Sequence, residues 1–419
     1  MSITVRYTDL SPDKVDSIND DLVLLIEPSK HSKYSEIKRI YAFTLNDDNT
    51  VTLPFAYALE MGLVRRPRSD FSQRKVTFTG TLRDQQVDVF TQGMDALNKK
   101  GNTMLSLNTG FGKTFLSIKL STVTKLRTLI IVNKIVLMKQ WEEAIKKVCP
   151  EATIHVLKKQ EDLKDCDFYI INAINIPKRG MRYFRDMGVV IVDECHLIMA
   201  ECLSKCMQYL SPRYLIGLSA TPYRTDGMDP LLAFHFGEEK IIRLMSRKHI
   251  VYKVVTGFVP DFEYTADGKV NWGSLLDSQC NNRLRNELIV QIVKKNKDRN
   301  ILILSKRIEQ GTYLYNRLKE EGENVTSLIG KQQDFDTEAR VLVGTTSKCG
   351  TGFDFPKLDC LILASDIQQY YIQALGRVLR RPDVEPIVFD LVDENPILRI
   401  HYETRLKVYR EIGGTVVLH

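Results

Sequence analysis

Ten apolar runs of four or five residues constrain this chain more than anything else in it. They lie at 104–107, 128–132, 168–171, 189–192 and 214–218, and then at 301–304, 325–328, 341–344, 360–363 and 387–391. Most are apolar at successive rather than alternate positions, which suits strands buried on both faces beneath helices. Segments long enough for a helix separate them, as a parallel crossover requires. The pattern predicts an α/β chain with two parallel-sheet lobes in tandem. Residues 223–269, rich in glycine, proline and charge, read as a linker. The helical pattern after it places Leu284, Leu288, Ile289, Ile292 and Val293 on one side.

Residues 1–78 read differently. Alternating segments at 22–26 and 41–45, with a turn at Asp47-Asp48-Asn49, predict a small mixed α/β or β-rich domain. The expected division is 1–78 for this accessory domain, 79–245 for the first lobe, and 246–419 for the linker and second lobe. The accessory domain ends in a basic cluster, Arg65, Arg66, Arg68, Arg74 and Lys75. Such a cluster is either a solvated surface loop or a phosphate-contacting patch that would give the domain a nucleic-acid role.

Composition narrows the setting. Of 419 residues, 43% are apolar and 26% charged, the balance of an ordinary globular protein. No run reaches the ~18 uncharged apolar residues that span a bilayer. The acidic opening, Asp9, Asp13, Asp16, Asp20 and Asp21, is unlike a signal peptide. Eight scattered cysteines without a C-x-x-C pair argue against a zinc site and for a reducing compartment. The expected location is intracellular, with cytoplasm, nucleus and viral factory or virion not separated. A net charge of +7 is a modest bias toward polyanions.

Chemistry enters at Thr109-Gly110-Phe111-Gly112-Lys113-Thr114, where an apolar run gives way to glycines and then a helical pattern. Glycines let backbone amides approach phosphate oxygens, and the helix adds its positive end. Lys113 would reach the β- and γ-phosphates, and the Thr114 hydroxyl would bind Mg²⁺. The general pattern has an earlier glycine where this chain has Leu107. About eighty residues on, the run 189–192 ends in Asp193-Glu194-Cys195-His196. Asp193 is placed to hold the metal and Glu194 to deprotonate the attacking water. More than 250 residues beyond the loop, Gln373, Arg377 and Arg380 form Q-x-x-G-R-x-x-R. Arginine's planar, always-charged fork suits the charge spreading over a γ-phosphoryl group. Arg381 reads as a helix-surface charge.

With these motifs in this order, residues 79–419 resemble the superfamily-two helicases of the D-E-x-H type. Leu82-Arg83-Asp84-Gln85-Gln86 is similar to that family's adenine-recognition segment, with Gln86 at the glutamine position. The run 129–132 followed by Gln140-Trp141 resembles the start of its nucleic-acid track, and Trp141 itself reads as packing its helix. Ser219-Ala220-Thr221-Pro222 resembles the coupling motif, in which Ser219 and Thr221 would exchange hydrogen bonds with His196. The segment 344–356 resembles the motif whose threonines, here Thr345 and Thr346, bind backbone phosphate. There Gly352 would approach the nucleotide, and Asp354 would contact its ribose or the catalytic arginines.

The finer resemblance is to the branch of XPB-type repair helicases, a phage recombination helicase and the poxvirus transcript-release helicase. It is carried by Tyr223-Arg224-Thr225-Asp226-Gly227, Asp390-Leu391-Val392-Asp393 and Arg405-Leu406-Lys407-Val408-Tyr409. It implies two RecA-like lobes with ATP between them, a Mg²⁺ requirement, a large-virus or phage origin, and 3′-to-5′ travel on a strand held mainly by its backbone. DNA is the expected partner, alongside replication, repair or transcription proteins and no membrane. An RNA-directed helicase, or a nucleotide-gated binding subunit without turnover, are the alternatives.

Overall fold

Every one of the ten apolar runs forms a strand in the computed structural model. The structure describes residues 2–26, 38–108, 110–158, 162–199, 205–220, 229–243, 246–266, 268, 270–332, 334–349, 355–368 and 371–419. It divides into two units, Met1–Arg243 and Leu244–His419.

The chain opens with β1 (Ser2–Arg6), β2 (Val23–Ile26), β3 (Lys38–Tyr41), β4 (Thr44–Leu45) and β5 (Thr50–Pro54). β1, β5 and β4 form an antiparallel sheet in that order, while β2 pairs with β3. Asn49 turns the chain between β4 and β5 at a left-handed φ of 58°. Among the described residues, the buried apolar cluster of this region is Ile18, Leu22, Phe43, Val51, Leu53 and Ala58. So few side chains cannot offset ~1–2 kcal/mol of backbone entropy for every residue ordered. The region therefore leans on the sheet that follows. Phe55 enters that sheet's core, and the amide of Ser2 donates to Leu210 O at 2.8 Å.

The arginines of the basic cluster do the same work, taking up partners on the first lobe. Arg65 donates to the carbonyls of Leu97 at 3.0 Å and Asn98 at 3.2 Å. These lie in the last turn of the helix Asp84–Lys100, where carbonyls lack helical partners and a cation is favoured. Arg66 donates to Arg185 O and Ser211 O and lies over the Phe71 ring. Arg68 reaches Thr124 O, and Arg74 pairs with Asp165. These four side chains tie the N-terminal segment to the first lobe; Arg65, Arg66 and Arg74 are half-buried, while Arg68 and Lys75 remain exposed.

That lobe is a sheet of β6 (Asn102–Leu107), β7 (Thr128–Val132), β8 (Ile154–Leu157), β9 (Phe168–Asn172), β10 (Val189–Val192), β11 (Tyr214–Ser219) and β12 (Lys240–Arg243). Its seven strands run parallel in the order β12-β6-β11-β10-β7-β9-β8. Successive side chains enter opposite cores. Leu129 and Ile131 pack on one face, Ile130 and Val132 on the other. Each such aliphatic side chain contributes about 1.5–3 kcal/mol on burial.

The second unit repeats the architecture with β13 (His249–Val255), β14 (Ile301–Ser305), β15 (Val325–Leu328), β16 (Val341–Thr345), β17 (Cys360–Leu363), β18 (Ile387–Val392) and β19 (Gly414–Leu418). Its order is β15-β16-β14-β17-β18-β13-β19, again parallel throughout. Ile301 and Ile303 face one core, Leu302 and Leu304 the other. The two C-terminal segments behind the branch resemblance meet here. Arg405 forks onto Asp390 through two 2.8 Å bonds, and the Tyr409 hydroxyl donates to the same carboxylate at 2.9 Å.

The stretch read as a linker holds β12 and β13, one in each sheet. β12, β8 and β19 are outermost strands, and β13 carries Tyr252 and Lys253 among its aliphatic residues, so none shows an uninterrupted apolar run. In the helix Arg283–Lys295 the buried stripe is Arg285, Asn286, Ile289, Val290, Ile292 and Val293. Leu284, expected on it, is 83% exposed. No helix among the described residues is long and apolar enough to cross a membrane.

Candidate active site

β6, β11 and β10 are consecutive neighbours in the first sheet, and each delivers one part of the site at its carboxyl end. β6 opens into the glycine loop. Gly110 and Gly112 hold φ of 89° and 94°, in the region that favours glycine. A Cβ on Gly112 would sit 2.5 Å from Gln86 Nε2, so space as well as backbone demands glycine there. The helix Lys113–Thr124 begins at once, with Thr114 half-buried in its first turn. Its first amides lack helical acceptors and make an anion cradle. Lys113 Nζ donates to Leu107 O at 2.9 Å.

Gln86 is built into this loop. It is buried, its Oε1 accepts the Arg83 amide at 2.8 Å, and its Nε2 donates to Phe111 O at 2.7 Å. The Arg83 guanidinium donates to Gly110 O at 3.1 Å and to Phe111 O. The segment carrying Arg83 and Gln86 and the glycine loop thus form one hydrogen-bonded piece.

β10 delivers the acids. Glu194 has φ 47° and ψ 51°, a left-handed conformation for a non-glycine residue. Such strain costs ~1–3 kcal/mol and persists where surrounding structure imposes it. Its Oε2 is buried without a hydrogen-bond partner among the described residues and lies 3.4 Å from His196 Nδ1. The same nitrogen is 2.8 Å from Ser219 Oγ at the end of β11. Glu194, His196 and Ser219 therefore form a continuous polar line across two strands.

Both oxygens of Asp193 are engaged. Oδ2 accepts the Trp141 indole N–H at 2.8 Å, and Oδ1 accepts the Glu194 amide at 3.0 Å. Burial, and then the charge of Glu194, push the Asp193 carboxyl above its usual range, opposed by the Trp141 N–H and the Lys113 ammonium. A divalent cation would reverse that balance.

In the second unit, Thr345 ends β16, buried, with Oγ1 3.2 Å from Ser347 Oγ. Thr346 opens the helix Thr346–Cys349. Gln373 and Arg377 lie four apart, one turn, on the helix Tyr371–Val378 and are both buried. Gln373 Oε1 has no hydrogen-bond partner among the described residues. Arg380 follows the helix, half-buried. Arg381 pairs with Asp359 and Asp383, a structural tie rather than a bare surface charge. Thr109, Thr221, Gly352 and Asp354 lie outside the described residues, as does 223–227.

The donor set fits a magnesium nucleotide. Two left-handed glycines, a lysine and an open helix end suit phosphates. A buried carboxylate beside an orphaned carboxylate oxygen suits a cation and a proton to be removed. Among the described residues, no three of His, Cys, Asp and Glu gather as a protein-only metal site. Magnesium needs none, since it is commonly held by one or two carboxylates together with substrate phosphates. Two contributors were not assigned from sequence. Arg83 stands three residues before Gln86 in the same short segment, but the Trp141 bond to Asp193 spans 52 residues and left no sequence signal.

The family described as "Type III restriction enzyme, res subunit" matches residues 79–224. "Putative helicase 161L" of Invertebrate iridescent virus 6 is 42% identical over 443 residues, covering 99% of each chain. A protein of Acanthamoeba polyphaga mimivirus with an ATP-dependent RNA helicase name is 27% identical, covering 77% of this chain and 66% of its own. "DNA 3'-5' translocase XPB2" of Sulfurisphaera tokodaii is 24% identical, covering 74% and 81%. Among solved structures, S. cerevisiae Dbp5 bound to RNA and ADP BeF3 shares the fold at a TM-score of 0.55 and 14% identity, covering 79% of this chain and 89% of that one. With paired RecA-like sheets, these motifs in order and a full-length viral helicase relative, the chain belongs to the superfamily-two helicases, which couple ATP to the unwinding of nucleic acid.

Proposed function

We propose that this helicase moves 3′ to 5′ on DNA, driven by magnesium-dependent ATP hydrolysis. The observation that carries the ATPase assignment is the convergence of glycine loop, paired acids and the Ser219–His196 bond on three adjacent strand ends. Gly110, Gly112 and Lys113 bind the phosphates, Gln86 the adenine side, and Thr114 with Asp193 the cation. Glu194 accepts the proton of the attacking water, for which its orphaned oxygen is suited. Gln373, Arg377 and Arg380 stabilise the γ-phosphoryl charge. His196 and Ser219 carry the change onward, and Thr345 and Thr346 hold backbone phosphates. Thr109, Thr221, Gly352 and Asp354 keep the roles their motifs suggest. When bound, ATP and magnesium supply the phosphoryl group and the charge that neutralises it.

DNA and 3′-to-5′ polarity are supported by the branch resemblance of the C-terminal segments and by the name of the Sulfurisphaera relative. RNA is the second reading, favoured by the name of the mimivirus relative. Measuring ATPase stimulation by single-stranded DNA, duplex DNA and RNA, together with displacement from 3′- and 5′-tailed duplexes, separates them. DNA stimulation and displacement from 3′ tails are expected. Stimulation by RNA alone would replace the substrate, and displacement from 5′ tails alone would reverse the polarity.

A further inference from the structure

Trp141 is 2% exposed among Leu137, Met138 and Ile145. An indole N–H buried in apolar surroundings requires an acceptor. Its acceptor is Asp193 Oδ2 at 2.8 Å, on a different element of the lobe. The second carboxylate oxygen accepts the amide of Glu194 at 3.0 Å. The carboxyl plane is therefore fixed by two donors, one from the helix Ile135–Val148 and one from the strained backbone after β10. A carboxylate offers about four lone-pair sites, so two remain in fixed directions.

We infer that Trp141 is a positioning residue for metal binding, its indole N–H holding Asp193 in the orientation that presents the remaining lone pairs to a divalent cation. The inference rests on the magnesium-ATPase reading above. Groups that orient a metal ligand without touching the metal typically change metal affinity or activity by about 10–100-fold when removed. Trp141→Phe keeps an aromatic ring in the core and removes the donor.

The test is titration of the full chain with the fluorescent nucleotide mant-ADP, once in magnesium and once in EDTA. Magnesium should tighten binding to the wild-type protein. Trp141→Phe should lose ~10–100-fold of affinity in magnesium and none in EDTA. Equal loss in both media would make Trp141 a packing residue only, and undiminished magnesium dependence would make it a bystander; either result overturns the inference. A wild-type protein indifferent to magnesium would overturn the ATPase reading beneath it.

Should Trp141→Phe fail to fold, the native side chain can report on itself. The chain has two tryptophans, so Trp272→Phe, at a partly exposed position in the second unit, leaves Trp141 as sole emitter. Adding magnesium to the ADP-bound protein should shift its emission, and an unchanged spectrum would overturn the inference.

Discussion

In the first sheet the strand ends leave Glu194 strained, its Oε2 buried without a hydrogen-bond partner, and Asp193 pushed toward its protonated form by burial and by Glu194. In the second, the buried carboxylates Asp390 and Asp393 find partners within their own lobe. Asp393 accepts Arg285 at 2.8 Å with both side chains fully buried, and it also accepts Thr256 and Gln279. Asp390 accepts Arg405 and Tyr409, and Ser365 donates to Gln310 at 2.7 Å. Two sheets of the same strand count and direction thus differ in what is left over. A buried polar group without a partner is costly, whereas a closed network rigidifies. The first sheet leaves a strand-end carboxylate oxygen to be met from outside, whereas Asp390 and Asp393 of the second are met by side chains of their own lobe.

The largest expected effect sharpens this contrast, because it comes from a second-unit residue outside the closed network. Arg380→Ala should lower nucleic-acid-stimulated kcat by ~10³ or more, the scale of a lost arginine finger. Nucleotide affinity, read by mant-ADP titration, should stay near the parental value. A matching loss of affinity would mark Arg380 as a ground-state phosphate ligand instead.

Glu194→Gln should reduce phosphate release by ~10²–10⁴, the usual share of a general base, while nucleotide binding and melting temperature hold. A parental rate of phosphate release would remove Glu194 from the chemistry. Asp393→Ala should act the other way round. It strands the Arg285 charge in the interior and should destabilise the second unit by about 3–5 kcal/mol, seen as unfolding at lower urea by circular dichroism. Undiminished stability would break the comparison, since the network would then not hold the lobe.

The smallest effect is expected at Arg74, whose guanidinium is committed to Asp165. Arg74→Ala should leave the salt dependence of DNA affinity unchanged. A true phosphate contact would remove ~0.9 from the slope of log K against log salt, and that drop would return the basic cluster to the nucleic-acid surface.

Central strands were legible because burial on both faces forces uninterrupted aliphatic runs such as Thr128–Val132 and Ile301–Ser305. β8, β12 and β19 were not, because an outermost strand keeps polar residues wherever it meets water. The glycine loop that opens the helix Lys113–Thr124 was legible because its glycines, lysine and hydroxyl are adjacent in the chain. Leu284 was misplaced because a helical period of apolar residues gives a stripe but not its limits.

The sequence by itself determined the two lobes, the family, and the residue types at each motif, since each of these depends on spacing along a local stretch. Only the tertiary structure decided what those residues touch. It gave Arg65, Arg66, Arg68 and Arg74 partners on the first lobe. It joined Arg405 to Asp390 and gave Trp141 an acceptor on Asp193. These partners lie 15 to 145 residues apart, and a hydrogen bond records only that two groups meet. No local periodicity encodes such a meeting, because packing of the sheets chooses the partner after the strands have formed.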